Sequence, residues 1–298
     1  MRFEEFTNAI KELLEEEFPL GKVVVNRVTK NNGVIYTGVT IERSGHCVSP
    51  TIYLESYYNR YKEGESLDLI IRRIIDVYNC RAIDYDFDIE FFNNYDSVKD
   101  MLRCKIINKV TNAEYLKDVP YEDFLDLAIV PYCYLDCDVF DNRLSGGSIT
   151  VKYDHMKMWK VDKEKLLKDA MANTLKVEGR IESILDTIKR IKPDLVEDLP
   201  ISDDSELMYV FTNNMNNGAV CMTNETMLKS FCEKIDSDIY IIPSSINEVL
   251  LVPINGIDDE NILNQMVCEV NSSTLDPVEV LSDHVYYFSK ENGYLQAV

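Results

Sequence analysis

Residues 239–252 read Ile-Tyr-Ile-Ile-Pro-Ser-Ser-Ile-Asn-Glu-Val-Leu-Leu-Val, two apolar runs parted by a short polar stretch. They predict a strand at 239–242, a loop at Pro243-Ser244-Ser245 and a second strand at 248–252. Working outward, the pattern continues as a strand over Leu207–Thr212, a turn over Asn213–Asn217 and a strand over Gly218–Met222. Helices follow at Glu225–Ile235 and Asp259–Val270, and a last strand at Val285–Phe288. Hairpins and helices alternate here without the regular βαβ cadence of a doubly wound sheet. The expected class is therefore α+β, with mostly antiparallel sheets and packed helices.

The N-terminal region is read from its periodicity. Phe3, Phe6, Ile10, Leu13, Leu14 and Phe18 form one stripe of an amphipathic helix that Pro19 and Gly21 end. Alternation at Val23 and Val25, and again from Ile35 to Ile41, flanks Lys30-Asn31-Asn32-Gly33, where Asn-Gly favours a type I′ turn. Ser49-Pro50 is expected to start a helix through Tyr53, Tyr57, Tyr58 and Tyr61; Gly64 ends it and Ser66 caps the next. Residues 83–92 alternate strictly, with Asp84, Asp86, Asp88 and Glu90 on one face, and predict an acidic edge strand or tether rather than a calcium loop.

Further helices are expected near Val98–Val110 and Tyr121–Ala128, then a strand over Ser148–Tyr153 after Gly146-Gly147. Asp162 should cap a helix burying Leu166, Leu167, Ala170, Met171, Thr174 and Leu175, and another should run through Ile181, Ile184, Leu185, Ile188 and Ile191. Either the chain forms one compact unit, or residues 1–95 make a helix, hairpin and helical lobe and 96–298 an α+β lobe.

Of 298 residues 52 are acidic and 31 basic, a formal charge of -21. The excess is uneven: residues 1–97 carry 11 basic and 17 acidic side chains, 98–199 carry 17 and 19, and 200–298 carry three lysines, no arginine and 16 acids. Proteins that hold nucleic acid neutralise phosphates with clustered Lys and Arg, so direct nucleic-acid binding is not expected. No apolar run is long enough to span a bilayer and Met1-Arg2-Phe3-Glu4-Glu5 lacks signal-peptide order, so a bacterial cytoplasmic location without membrane association is expected. Eight scattered cysteines read as reduced, partly buried thiols; the Cys133/Cys137 pair has no second pair to complete a zinc site.

Chemical motifs are sparse. The eleven glycines never fall as G-x-G-x-x-G, and neither H-E-x-x-H nor G-x-S-x-G occurs, so no cofactor, metal or catalytic residue is assigned. His46 beside Cys47 reads as a solvated loop group in preference to a thiol–imidazole pair, and His155 as a hydrogen-bonding group before a helix. His284 begins the last strand. Ser244, Ser245, Asn247 and Glu248 are the most suggestive polar constellation, two hydroxyls, an amide and a carboxylate presented between apolar strands. The competing reading is that the serines satisfy the turn backbone. Tyr57 and its helical neighbours serve equally as an interaction face or as the rim of a core helix.

Several stretches resemble a family of unknown function associated with gut Firmicutes and mobile elements. They are Ser-Pro-Thr-Ile-Tyr-Leu (49–54), Val-Pro-Tyr-Glu-Asp-Phe-Leu-Asp-Leu-Ala-Ile-Val (119–130), Ala-Met-Ala-Asn-Thr (170–174), Ile-Ile-Pro-Ser-Ser-Ile-Asn-Glu-Val (241–249) and Glu-Val-Asn-Ser (269–272). The resemblance covers nearly the whole chain and implies no activity. Where it implies a histidine, this chain has Asn247, an amide that cannot shuttle protons near neutral pH.

Three functions remain as expectations. The first is a non-enzymatic cytoplasmic interaction protein, accessory to a mobile element, whose partner has a basic surface. The second is an enzyme with an unrecognised site in the 243–248 region, using His155, Ser244, Ser245 and Glu248. The third is an acidic mimic of a nucleic-acid backbone, which requires carboxylates in rows.

Overall fold

The computed structural model describes residues 1–43, 49–81, 89–135, 147–192, 208–213, 216–254 and 260–298. His46, Cys47, Asp84, Asp86, Asp88, Cys137 and Gly146 lie outside the described residues, as does the side chain of Glu90. The chain divides into two units, Met1–Ser97 and Val98–Val298.

In the first unit the expected stripe builds α1 (Phe3–Glu17), with Phe6, Ile10 and Leu14 fully buried. Strands β1 (Gly21–Thr29) and β2 (Ile35–Arg43) pair antiparallel from Gly21↔Arg43 to Thr29↔Ile35. Between them Asn32 and Gly33 take φ of 59° and 71°, the left-handed backbone that the Asn-Gly pair was expected to supply. Thr51–Tyr53 does not begin a helix. It forms β3, paired with β2 so tightly that a Cβ on Gly38 would sit 2.4 Å from the Thr51 side chain. β-branched Thr51 and Ile52 favour the pleated edge, and the helix is delayed to α2 (Glu55–Lys62). Then α3 (Leu67–Arg81) starts where Ser66 Oγ accepts from the Leu69 amide. Ile70, Ile71, Ile74 and Tyr78 close the core over Val23, Val39, Ile41 and Ile52. Each such large apolar side chain contributes about 1.5–3 kcal/mol on burial. Residues 89–93, expected as the end of an acidic strand, are helical (α4, Ile89–Asn93), and α5 (Tyr95–Val98) follows.

The second unit departs further from its expected elements. The segment expected as a helix at 98–110 holds β4 (Leu102–Asn108), where Leu102, Cys104 and Ile106 are buried and Arg103 and Lys105 less so. That two-residue period is a strand's. The 121–128 helix is likewise replaced by a hairpin of β5 (Glu122–Phe124) and β6 (Leu127–Leu135), turned by Leu125-Asp126 with Leu125 at φ 56°. β6 also pairs with β4 and with β7 (Gly147–Thr150), which stops short of Tyr153 because α6 (Tyr153–Trp159) begins there. Asp162 caps α7 (Lys163–Lys176) by accepting from the Lys165 amide at 2.8 Å. Thr174 Oγ1 accepts from the Cys104 amide at 2.7 Å, tying α7 to β4.

A six-stranded antiparallel sheet completes this unit in the order β13-β12-β10-β11-β9-β8. Its strands are β8 (Arg180–Ser183), β9 (Tyr209–Thr212), β10 (Ile239–Ser245), β11 (Glu248–Pro253), β12 (Tyr286–Phe288) and β13 (Leu295–Ala297). Residues 180–183, expected as helix, are strand, and Ser183 caps the shortened α8 (Ile184–Ile191). Gly218–Thr223 is a buried 3-10 turn instead of a strand, because Gly218 through Met222 are enclosed on all sides and have no solvent face to alternate. The helix at Glu225–Ile235 is α9, and α10 runs Glu260–Ser273. β10 extends through Pro243, Ser244 and Ser245, so the expected loop is strand and the turn is Ile246-Asn247 alone. The fold is α+β, with mostly antiparallel sheets and packed helices.

Candidate functional site

The β10–β11 turn gathers three of the residues expected to form a site. A bulge between Ile242 and Ser245 shifts the register so that Ser245 pairs with Glu248. Ser245 Oγ accepts from the Asn247 amide at 3.0 Å, and Asn247 Oδ1 accepts from the Asn217 amide at 3.1 Å. The Asn247 carbonyl accepts from the Thr212 hydroxyl at 2.7 Å, and the Ile246 carbonyl from the Ala219 amide at 3.2 Å. On the other side Glu279 accepts twice, through its carbonyl from Ile246 N at 2.9 Å and through Oε1 from Asn247 Nδ2 at 3.5 Å.

Gly218 is obligatory in this knot. A Cβ there would stand 2.2 Å from Thr212 Oγ1 and 2.5 Å from the Asn247 carbonyl. Asn217, at φ 65°, donates its side-chain amide to the Tyr132 hydroxyl oxygen. Burial, and secondly the Glu279 carboxylate, hold Glu248 above the usual carboxylate range.

These contacts make the turn a tie among three segments. Ser245 is 7 % exposed and its oxygen is engaged by backbone. Ser244 is half-buried on β10. His155 sits at the start of α6, where Nδ1 accepts from the Lys152 amide at 3.2 Å and the ring tilts on Trp159 at 5.5 Å. Burial, then Lys152, push its pKa down, which favours the neutral ring. Tyr57 is half-buried against the first unit's core beside Tyr58 and Tyr61, and Tyr58 meets Phe3 at 5.1 Å and Phe6 at 5.3 Å.

A second polar cluster escaped the sequence reading. Asp126, in the β5–β6 turn, accepts at Oδ1 from the Tyr286 hydroxyl at 2.9 Å and at Oδ2 from Ser282 Oγ at 3.4 Å. His284 Nε2 lies 3.3 Å from the same Oδ2, and Ser282 Oγ is 3.5 Å from His284 Nδ1. The residue types are those of a nucleophilic triad, but Ser282 is 0 % exposed and already donates to Asp126. A nucleophile must reach its substrate, so the arrangement acts as a clasp between the two sheets. Burial first, and the Asp126 charge second, push the Tyr286 hydroxyl well above the usual phenol range, so it remains a donor. The visible signal was the i, i+2 spacing of Ser282, His284 and Tyr286, which lines one face of extended chain. Asp126 carried none, because its orientation depends on left-handed backbone at Leu125, a residue type that rarely adopts it.

The first unit carries a groove of about 360 Å³ between α1 and α3. Leu13, Ile71 and Ile75 form its apolar part, and Glu17, Asp68, Arg72 and Asp76 its charged part. Among the described residues no three His, Cys, Asp or Glu side chains converge as a metal site, and no helix is long and apolar enough to cross a membrane.

Comparison with curated proteins and with solved structures finds no match. A family model does match, over residues 3–290, nearly the whole chain and both of its units. The chain belongs to this family of unknown function, DUF5688.

Proposed function

We propose that this chain is a non-enzymatic cytoplasmic interaction protein whose acidic surface binds a partner with a basic surface. The observation that carries the reading is charge arithmetic: if all 31 Lys and Arg each paired with one carboxylate, 21 of the 52 acids would still lack an intramolecular cation. Such an excess attracts and steers cationic surfaces over a Debye length. Ser245, Asn247 and His155, among the polar groups that the sequence offered as a site, are engaged in structural hydrogen bonds, which favours binding over turnover. Five described cysteines are free thiols, in keeping with a reducing compartment.

The described carboxylates of the last third sit on α9 (Glu225, Glu233), β11 (Glu248), α10 (Glu260, Glu269) and the turns holding Asp236, Asp238, Asp276, Glu279, Asp283 and Glu291. Spread over so many elements, they support a dispersed acidic surface over a phosphate-like row.

The test is cross-linking of the full chain in extract of its own cells, followed by reconstitution with the purified partner. The expected partner is basic, and its affinity falls at least tenfold between about 0.05 M and 0.5 M salt. A partner bound with no salt dependence, or a small molecule turned over by the purified chain, overturns the reading.

A further inference from the structure

We infer that the groove between α1 and α3 receives a short basic amphipathic helix of the partner protein, an inference that rests on the reading above. Asp68, Ile71, Arg72, Ile75 and Asp76 occupy successive turns of one face of α3. Eight residues of rise give the groove a length of about 12 Å, enough for two turns of a docked helix. Its apolar residues Leu13, Ile71 and Ile75 call for Leu-like side chains on the occupant, the helix-in-groove mode of recognition.

The charged rim specifies the sign. Lys11 of α1 pairs with Glu15, and Arg73 of α3 pairs with Glu65, which Arg60 of α2 also reaches. Around the groove, among the described residues, Glu17, Asp68, Asp76 and Arg72 have no ion-pair partner. Glu17 is moreover the last residue of α1, whose final turn holds no basic side chain. A carboxylate at the negative end of a helix is unfavourable until a cation arrives, and a partner's Lys or Arg at Glu17 would meet both the carboxylate and the helix terminus. Arg72, at i+4 from Asp68 and i−4 from Asp76, offers its fork to one carboxylate of the occupant. The fitting sequence therefore carries cations on either side of a Leu pair and a single acid between them.

The test uses the full chain and a labelled amphipathic peptide of Lys and Leu with one central Glu, about 14 residues long, followed by fluorescence anisotropy. The variant Glu17→Lys/Asp76→Lys is compared with Glu12→Lys/Glu233→Lys, which changes the net charge equally at exposed positions that do not line the groove. The groove variant is expected to weaken binding about tenfold or more and the control about twofold or less. Glu17→Gln/Asp76→Asn should fall between, a neutral check on folding that circular dichroism completes.

Equal loss in both lysine variants, or no binding of the peptide by the unaltered chain, overturns the groove assignment. Either result leaves the basic-partner reading to its own salt test. A shift in self-association confined to the groove variants would place a second copy there and would also overturn the partner-helix assignment.

Discussion

Asp126 in the second unit and Asp76 in the first are both carboxylates near a helix or turn, yet they are used in opposite ways. Asp126 is surrounded by Tyr286, Ser282 and His284 within 2.9–3.4 Å, while Asp76 lines a groove on a helix whose neighbouring Arg73 is engaged with Glu65. Asn247 repeats the first pattern, binding Asn217 and Glu279 with its own side chain. A polar group that several internal donors already satisfy is part of the fold; one left to solvent beside apolar surface is available to something else. On that comparison the second unit is built by its polar residues, and the first displays them.

Thiol chemistry gives the largest contrast that could break this view. The five cysteines whose side chains are described lie in the second unit, and burial pushes Cys104, Cys133 and Cys221 up to about 12 and Cys232 up to about 11. Thiolate is the reactive form, so native Cys104, Cys133 and Cys221 should alkylate about a thousandfold more slowly at pH 8 than in the unfolded chain. Cys268, exposed on α10, should label readily in the native protein. Peptide mass spectrometry after a timed pulse measures both, and fast labelling at Cys104 or Cys133 would mean that this interior is open.

Next in size is Gly218. A methyl group there meets the Asn247 carbonyl and Thr212 Oγ1, neither of which can move without breaking the turn. Gly218→Ala should cost about 3 kcal/mol, measured as a lowered denaturant midpoint. Asp126→Ala follows at about 2–3 kcal/mol, because it strands the Tyr286 hydroxyl and leaves Ser282 and His284 without their shared acceptor. If Asp126→Ala were neutral, the clasp would be an incidental contact and the distinction between the two carboxylates would collapse.

How much of this was readable follows the same division. Phe6, Ile10 and Leu14 recur at helical spacing, and their partners Ile70, Ile74 and Tyr78 lie on a helix with the same period, so α1 and α3 announce themselves. The caps Asp162 and Ser66 are local hydrogen bonds and equally legible. The stretch Leu102–Asn108 is ambiguous, because Leu102 and Ile106 fit a helical stripe as well as a strand face. What resolves it is β6, paired from Leu102↔Cys133 to Asn108↔Leu127, a contact between distant segments. Gly218–Met222 misled for a related reason: an apolar run buried on all sides has no periodicity to report.

The candidate sites were legible only in part. Ser245, Asn247 and Glu248 are adjacent in sequence and were found together, but Thr212, Asn217 and Glu279, which give the turn its role, come from elsewhere in the chain. Asp126 and His284 meet across a long separation and through an unusual Leu125 backbone, which no local pattern encodes. The groove required two helices whose individual stripes were visible while the gap between them was not.

Glu248 supplies the smallest and most discriminating prediction, since it is the one carboxylate in the Asn247 knot that is held partly against its charge. Burial, then Glu279, raise its pKa in the folded chain, so the native state keeps this proton to higher pH than the unfolded state does. Between the ordinary glutamate value of about 4.3 and the raised folded one, the native state binds more protons, and its stability falls as pH rises. Glu248→Gln removes that loss. The variant should match the parent at low pH, where Glu248 is protonated in both states, and gain as pH rises to a plateau above the folded pKa. Because the group is only half-buried, solvent screening limits the gain to about half a kcal/mol. Urea titrations of both proteins across this range measure the difference. A variant less stable than the parent at neutral pH would show that the ionised Glu248 is itself a tie, on the same footing as Asp126.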